Sequence, residues 1–235
     1  MLECVRVREG ETGRYVPSYL TVVKLGGMTE ASPQTQQPQF EALTTVYERL
    51  RHSTDAAELS EFARRPLPDK SDQAGYSRAT ALLEAVAGNS HTPLEDRIFL
   101  AQTMPFPNIL VKLAQDESVE VRKAVAANEQ DKNWLVGRLT KDESAEVREV
   151  ALRNARTSWK MRLEGAQDSR TSPETLAFLA EFGVDREPGG PAVLTSMIRR
   201  AVALNPNTPD EVVSALAQDA SEEVRKAASR RLSQG

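Results

Sequence analysis

The sequence has few of the residues that usually carry chemistry. It holds one cysteine, Cys4, which excludes a disulfide framework, a multi-cysteine zinc site and a cysteine-held iron–sulfur cluster. Its two histidines, His52 and His91, have no second histidine or cysteine at metal-ligand spacing, so neither a metal nor a cofactor is expected. Gly26-Gly27 and Gly189-Gly190 lack the helix that follows a phosphate-binding loop. Aromatic residues make up 5%, and alanine is frequent, which suits packed short helices better than a β-sandwich. No apolar run approaches the roughly 18 residues of a membrane span. Positive charge is not in excess: 30 Lys+Arg face 34 Asp+Glu, a net charge of −4, which argues against a generic nucleic-acid binder. What remains is a chain of 235 residues, 40% apolar and 27% charged, the composition of one or two globular domains.

Residues 1–38 read differently from the rest. Val5, Val7 and the stretch from Tyr15 to Leu25 alternate loosely, but Glu3, Glu9 and Glu11 interrupt what would be the basic part of a signal peptide. Met28 opens a polar Pro/Gln-rich run of the kind found at flexible natural N-termini. Two readings stand: a start at Met28, with 1–27 not translated, or a genuine 27-residue arm. Phe40, Leu43, Val46, Tyr47 and Leu50 then mark an amphipathic helix, and Asp55 to Ala63 a second. With the linker Pro66 to Asp72, they make 39–75 a helical N-terminal cap.

From residue 76 onward the chain repeats. Leu113-Ala-Gln-Asp-Glu-Ser-Val-Glu-Val-Arg returns as Leu139-Thr-Lys-Asp-Glu-Ser-Ala-Glu-Val-Arg and as Leu216-Ala-Gln-Asp-Ala-Ser-Glu-Glu-Val-Arg. The anchors Arg122, Arg148, Arg199 and Arg225 lie 26, 51 and 26 residues apart, the middle gap being about two units. A second phrase follows the Val-Arg helix: Ala85-Val-Ala-Gly-Asn-Ser-His-Thr-Pro and Ala201-Val-Ala-Leu-Asn-Pro-Asn-Thr-Pro. Asn or Gly here is expected to take a left-handed C-terminal position, Thr or Ser to cap the next helix, and Pro to occupy its first turn. His91 stands where Asn207 stands, which makes it a turn residue first. Each unit is thus two short helices with one apolar face apiece, and stacking buries what one unit alone cannot. Two irregularities stand out. Thr103 to Pro107 is expected to replace a second helix, and Gly183 to Pro191 to replace an acidic turn.

The phrase Leu-Ala-x-Asp-x-Ser-x-x-Val-Arg, followed by Asn-Pro-Asn-Thr-Pro, resembles the leucine-rich repeat variant family, and the Asp-x5-Arg spacing is similar to HEAT-type repeats. The resemblance covers 76–235 and implies an all-α fold: a right-handed α-solenoid of two-helix repeats of about 26 residues, five to six of them, behind the N-terminal cap. Some members carry a cysteine-bound iron–sulfur cluster ahead of the repeats. With Cys4 alone, that property does not transfer.

Two sets of residues are candidates for a role. Asp116/Arg122, Asp142/Arg148 and Asp219/Arg225 recur at spacing six and read as a structural ladder inside the stack. On an outer ridge, Arg122, Arg148, Arg199 and Arg225 would instead meet a phosphate backbone; Lys123, Arg200 and Lys226 each follow a ladder arginine, but Glu149 breaks that row. Trp134 and Trp159 fall at polar-facing offsets of adjacent units, beside Lys132, Lys160 and Arg162. Either each indole folds onto its neighbouring helix as core, or the five residues form an aromatic patch with a basic rim for a protein partner. No catalytic constellation is present, so the expectation is a non-enzymatic, cytoplasmic interaction scaffold binding a protein partner, with no membrane. Nucleic-acid binding is the alternative.

Overall fold

The computed structural model describes residues 41–130 and 134–234. The readings made for 1–38, the start at Met28 among them, lie outside the described residues. Among the described residues there are thirteen helices: α1 (Leu43–His52), α2 (Ala56–Arg64), α3 (Gln73–Ala87), α4 (Leu94–Thr103), α5 (Pro107–Leu113), α6 (Val119–Ala127), α7 (Trp134–Leu139), α8 (Ala145–Arg153), α9 (Trp159–Gln167), α10 (Pro173–Ala180), α11 (Ala192–Leu204), α12 (Asp210–Leu216) and α13 (Glu222–Leu232). None is long and apolar enough to cross a membrane.

The helices are short because polar punctuation ends each one. Asp55 opens α2 by accepting from the amides of Ala57 and Glu58 at 2.9 and 3.2 Å, which satisfies donors that the first turn leaves free. Ser158 and Ser172 do the same for α9 and α10. The expected threonine caps do not form at α4 and α12, which start behind Pro93 and Pro209 without a side-chain cap. Thr92 and Thr208 turn back instead, donating to the carbonyls of Val86 and Val202 at 2.7 and 2.6 Å. Each ties the turn to the helix it leaves rather than to the helix it enters.

The helices pack as two layers. Even-numbered helices follow one another in one layer; in the other, α1, α3 and α5 pack in succession, and then α9, α11 and α13. The most extensive contacts join α1 to α3, α4 to α6, α6 to α8, α9 to α11 and α11 to α13. Apolar side chains at i, i+3 and i+4, such as Val121, Ala124 and Val125 on α6, point between the layers and are buried. The core forms two clusters. One runs from Val46 to Ala151, the other from Ala166 to Ala228. The cap helices α1 and α2 share the first cluster, and the boundary drawn at 75/76 falls inside α3.

The spacing irregularities have one cause. The second helix of each unit, which carries Arg97, Arg122 or Arg148, lies in the even layer at α4, α6 and α8, then crosses to the odd layer at α9, α11 and α13 with Arg162, Arg199 and Arg225. The crossing takes 14 residues from Arg148 to Arg162 and then 37 to Arg199, where two regular units would divide 51 evenly. Likewise α4 is itself a second-type helix. Thr103 to Pro107 therefore replaces no helix; it is the turn that joins α4 to α5.

Candidate partner-binding site

The recurrent polar residues form two internal lattices. The first is made of asparagines. Asn89, Asn128, Asn154 and Asn205 follow α3, α6, α8 and α11, and all four are buried. They are not left-handed: Asn128, Asn154 and Asn205 have φ of −69, −61 and −73°. Each acts through its side chain. Nδ2 donates to two carbonyls at the end of an earlier helix: Asn89 to Leu50 and Ser53, Asn128 to Ala101 and Met104, Asn154 to Ala126 and Asn128, and Asn205 to Ala166 and Asp168. Oδ1 accepts from the amide two residues on, closing an Asx turn. One side chain thus satisfies the orphan carbonyls of one unit and fixes the exit of the next. His91 sits in the first of these turns, its Nδ1 3.3 Å from Asn89 Oδ1.

The second lattice is made of arginines. Arg122 Nη1 donates to the carbonyls of Asp116 and Glu117 at 2.9 and 3.1 Å, the turn that starts its own helix. Arg148 and Arg225 repeat this on Asp142/Glu143 and Asp219/Ala220. The carboxylates pair differently from the spacing of six. Asp116 binds Arg97 of the preceding helix at 2.6 Å, Asp142 binds Arg122 at 2.9 Å, and Asp219 binds Arg199 at 2.6 Å. Each aspartate therefore offers its backbone to its own unit and its side chain to the one before. Burial pushes the Asp219 carboxyl up, but the hydrogen bonds from Arg199 and Ser221, with the charges of Arg199 and Arg225, hold it below its ordinary value. The bond to Asp142 raises Arg122 further above its already high value.

The lattice has members that the sequence pattern did not mark. Arg97 and Arg162 are ladder arginines on α4 and α9, in the contexts Asp96-Arg97-Ile98 and Met161-Arg162-Leu163 that lack the Val-Arg phrase. At the layer crossing, Glu187 from the Gly183–Pro191 loop supplies the carboxylate for Arg162 at 3.2 Å. Arg199 reaches the carbonyl of Phe182 at 2.6 Å in place of a turn carbonyl. Among the described residues, Arg148 has no carboxylate within ion-pair distance: Asp168, 26 residues after Asp142, turns to Arg170 at 2.7 Å, and that bond holds its carboxyl low.

Of the five residues of the expected aromatic patch, the structure brings two together, and it does so inside. Arg162 is 2% exposed, so it is no rim cation. Its guanidinium lies 5.0 Å from the Trp159 ring and 4.1 Å from the Phe182 ring. Burial pulls its pKa down, against the charge and hydrogen bond of Glu187. The Trp159 indole is half-buried and meets Phe182 edge-on, with centroids 5.6 Å apart. Lys160 is exposed, 3.9 Å from Glu164. Lys132 and the side chain of Trp134 lie outside the described residues.

The outward surface of α9, α11 and α13 is different in kind. Val193, Met197, Arg200 and Leu204 on α11 fall within one narrow stripe at helical spacing. Val193, Met197 and Leu204 are 71, 44 and 48% exposed. Beside them, Leu163 and Gln167 of α9 with Met197, Arg200, Ala201 and Leu204 of α11 line a groove of about 210 Å³.

Residues 198–221 match the model of the leucine rich repeat variant family. No curated protein and no solved structure matches the chain. The matched stretch holds one full set of lattice side chains, Arg199, Asn205, Thr208 and Asp219, and parts of the set recur before it, as Arg122, Asn128 and Asp142 and as Arg148, Asn154 and Thr157. By that segment, the chain carries a leucine rich repeat variant repeat.

Proposed function

We propose that the protein is a non-enzymatic, cytoplasmic interaction scaffold, a right-handed array that binds a protein partner on the outer face of α9, α11 and α13. The observation that carries this reading is the exposed apolar stripe of α11. Val193, Met197 and Leu204 face outward on a helix whose other face already fills the core with Ile198, Val202 and Ala203. Contiguous apolar surface of this kind, rimmed by charge, is characteristic of docking sites. The recurrent aspartates, asparagines and arginines are occupied in joining units, so they do not serve a reaction. The basic ridge that would favour nucleic acid is turned inward at Arg97, Arg122, Arg148 and Arg199.

Photo-crosslinking in cells tests this. A photoreactive residue in place of Met197 should give a discrete protein adduct, and one in place of Gln102, on the outer side of α4, should not. Adducts to nucleic acid from position 197, or equal protein adducts from both positions, would contradict the proposal.

A further inference from the structure

We infer that the groove between α10 and α12 is a second docking surface, separate from the α11 stripe, and that it receives a basic amphipathic helix of a partner protein. The groove has a volume of about 470 Å³. Its floor is apolar, with Ala177 of α10, Val184 of the following loop, and Val212 and Ala215 of α12. Val184 is 51% exposed, although its neighbour Phe182 is buried. The charged side chains that line the same groove are all acidic: Glu181, Asp185, Glu211 and Asp219. Two of the four are occupied, Asp219 by Arg199 at 2.6 Å and Glu181 by Arg186 at 2.7 Å. Asp185 and Glu211 are exposed, and among the described residues neither has a cation within ion-pair distance. The elements that form the groove supply none, since residues 173–185 and 210–220 contain no lysine, arginine or histidine.

The equivalent short helices elsewhere are built differently. Leu113, Leu139 and Leu216 correspond, each standing three residues before the aspartate of its turn, Asp116, Asp142 and Asp219. The residue before that leucine is Lys112 in α5 and Arg138 in α7, but Ala215 in α12. Four residues earlier stand Asn108 and Trp134, but Glu211 in α12. Residues four apart on a helix lie one above the other, so a lysine or arginine at 215 would reach Glu211. Alanine there both opens the groove and leaves the carboxylate free, and neither is a general property of the repeat. The lining also includes Ala180 and Leu216, the last residues of α10 and α12, where the helix dipole favours a cation. The complement of this surface is an apolar side chain flanked by lysine or arginine. A helix laid between two helices presents that combination at i, i+3 and i+4. The same carboxylates repel phosphate, which disfavours nucleic acid and anionic lipid as occupants.

The probe is a fluorescent synthetic helix of about 14 residues, with leucines on one face and lysines on the other. Its controls are a twin with glutamate for every lysine and a scrambled peptide of the same composition. Fluorescence anisotropy with the full chain should report binding of the basic helix alone, weakening as salt rises. Glu211→Lys and Ala215→Arg should each weaken it by about tenfold or more, as for the loss of an interface anchor. Melting temperatures should hold, because both residues are exposed and α5 and α7 carry cations at the position of Ala215. Glu223→Lys makes the same change of charge at an exposed position of α13, in the other layer, and should leave binding unchanged, as should Met197→Asp in the α11 stripe. Equal binding of either control peptide, an equal loss from Glu223→Lys or Met197→Asp, binding that ignores both groove substitutions, or no binding of the basic helix would overturn the inference. So would self-association of the chain that Glu211→Lys and Ala215→Arg abolish, since a second copy would then be the occupant.

Discussion

Each buried asparagine makes three hydrogen bonds with one amide, and the two oxygens facing its Nδ2 belong to another unit. Asn154 is the sharpest case, with Ala126 and Asn128 carbonyls at 2.8 and 3.3 Å. Asn154→Asp keeps the Asx turn, because Oδ1 still accepts from Arg156, but sets a carboxylate oxygen against two carbonyls. The variant should lose about 2 kcal/mol or more at neutral pH, the cost of buried unpaired groups. A carboxyl buried among acceptors has a folded-state pKa above its unfolded value of about 3.9. The penalty is therefore full above that raised pKa and shrinks as pH falls toward the unfolded value. Urea titrations at pH 7 and pH 4.5 check this; a variant equally stable to wild type at pH 7 would show that the staple contributes nothing. Asp168 occupies the same turn position naturally, but its carboxylate faces Arg170 rather than an earlier helix end. The position of these asparagines was legible from the repeat, since Asn recurs six residues after Arg122, Arg148 and Arg199 and in the matching phrase at Asn89. Their action was not, because a left-handed backbone and a side-chain staple call for the same residue type. The fate of Trp159 was likewise open. Its offset is polar in other units, yet here Phe182 and Arg162, brought in by the layer crossing, give the indole a wall to pack on.

At the scale of helices, the crossing between α8 and α9 decides the register of everything after it. Two arginine-bearing second helices, α8 and α9, meet there without a short helix between them, and they need a close approach. Gly165 provides it. A Cβ at that position would lie 2.4 Å from Leu152 Cδ2. Gly165→Ala should therefore cost about 1–3 kcal/mol through overpacking. In a Leu152→Ala background the added methyl enters the space that leucine vacates, so its cost should vanish or change sign. A double-mutant cycle by thermal or urea unfolding measures the coupling; additive effects would mean that the two helices do not touch in the way described. The same crossing explains why part of the array escaped the sequence pattern. A search at a period of 26 finds α6, α8, α11 and α13, whose ladder arginines keep the Val-Arg or Ile-Arg phrase. It misses α4, whose arginine lies 25 residues before Arg122 but follows Asp96, and α9, which sits about half a period out and whose arginine follows Met161.

Over the whole molecule, polar residues of the same type are divided between two tasks. Those facing between units, Arg97, Arg122, Arg162 and Arg199, are buried and bound to carboxylates. Arg200, facing outward on α11, instead lines an apolar groove. Stability of such an array is the sum of units and the interfaces between them, so loss of one ladder contact weakens two units at once. Adjacent residues of α11 separate the two tasks: Arg199 is buried against Asp219 and the Phe182 carbonyl, while Arg200 is exposed beside the groove. The most direct test is therefore urea denaturation of Arg199→Ala and Arg200→Ala side by side. Arg199→Ala strands the buried Asp219 carboxylate and should lower stability by about 3 kcal/mol or more. Arg200→Ala should stay within about 0.5 kcal/mol of wild type, as for other surface changes. Equal effects of the two substitutions, or a larger loss from Arg200→Ala, would contradict the division between an inner lattice and an outer docking face.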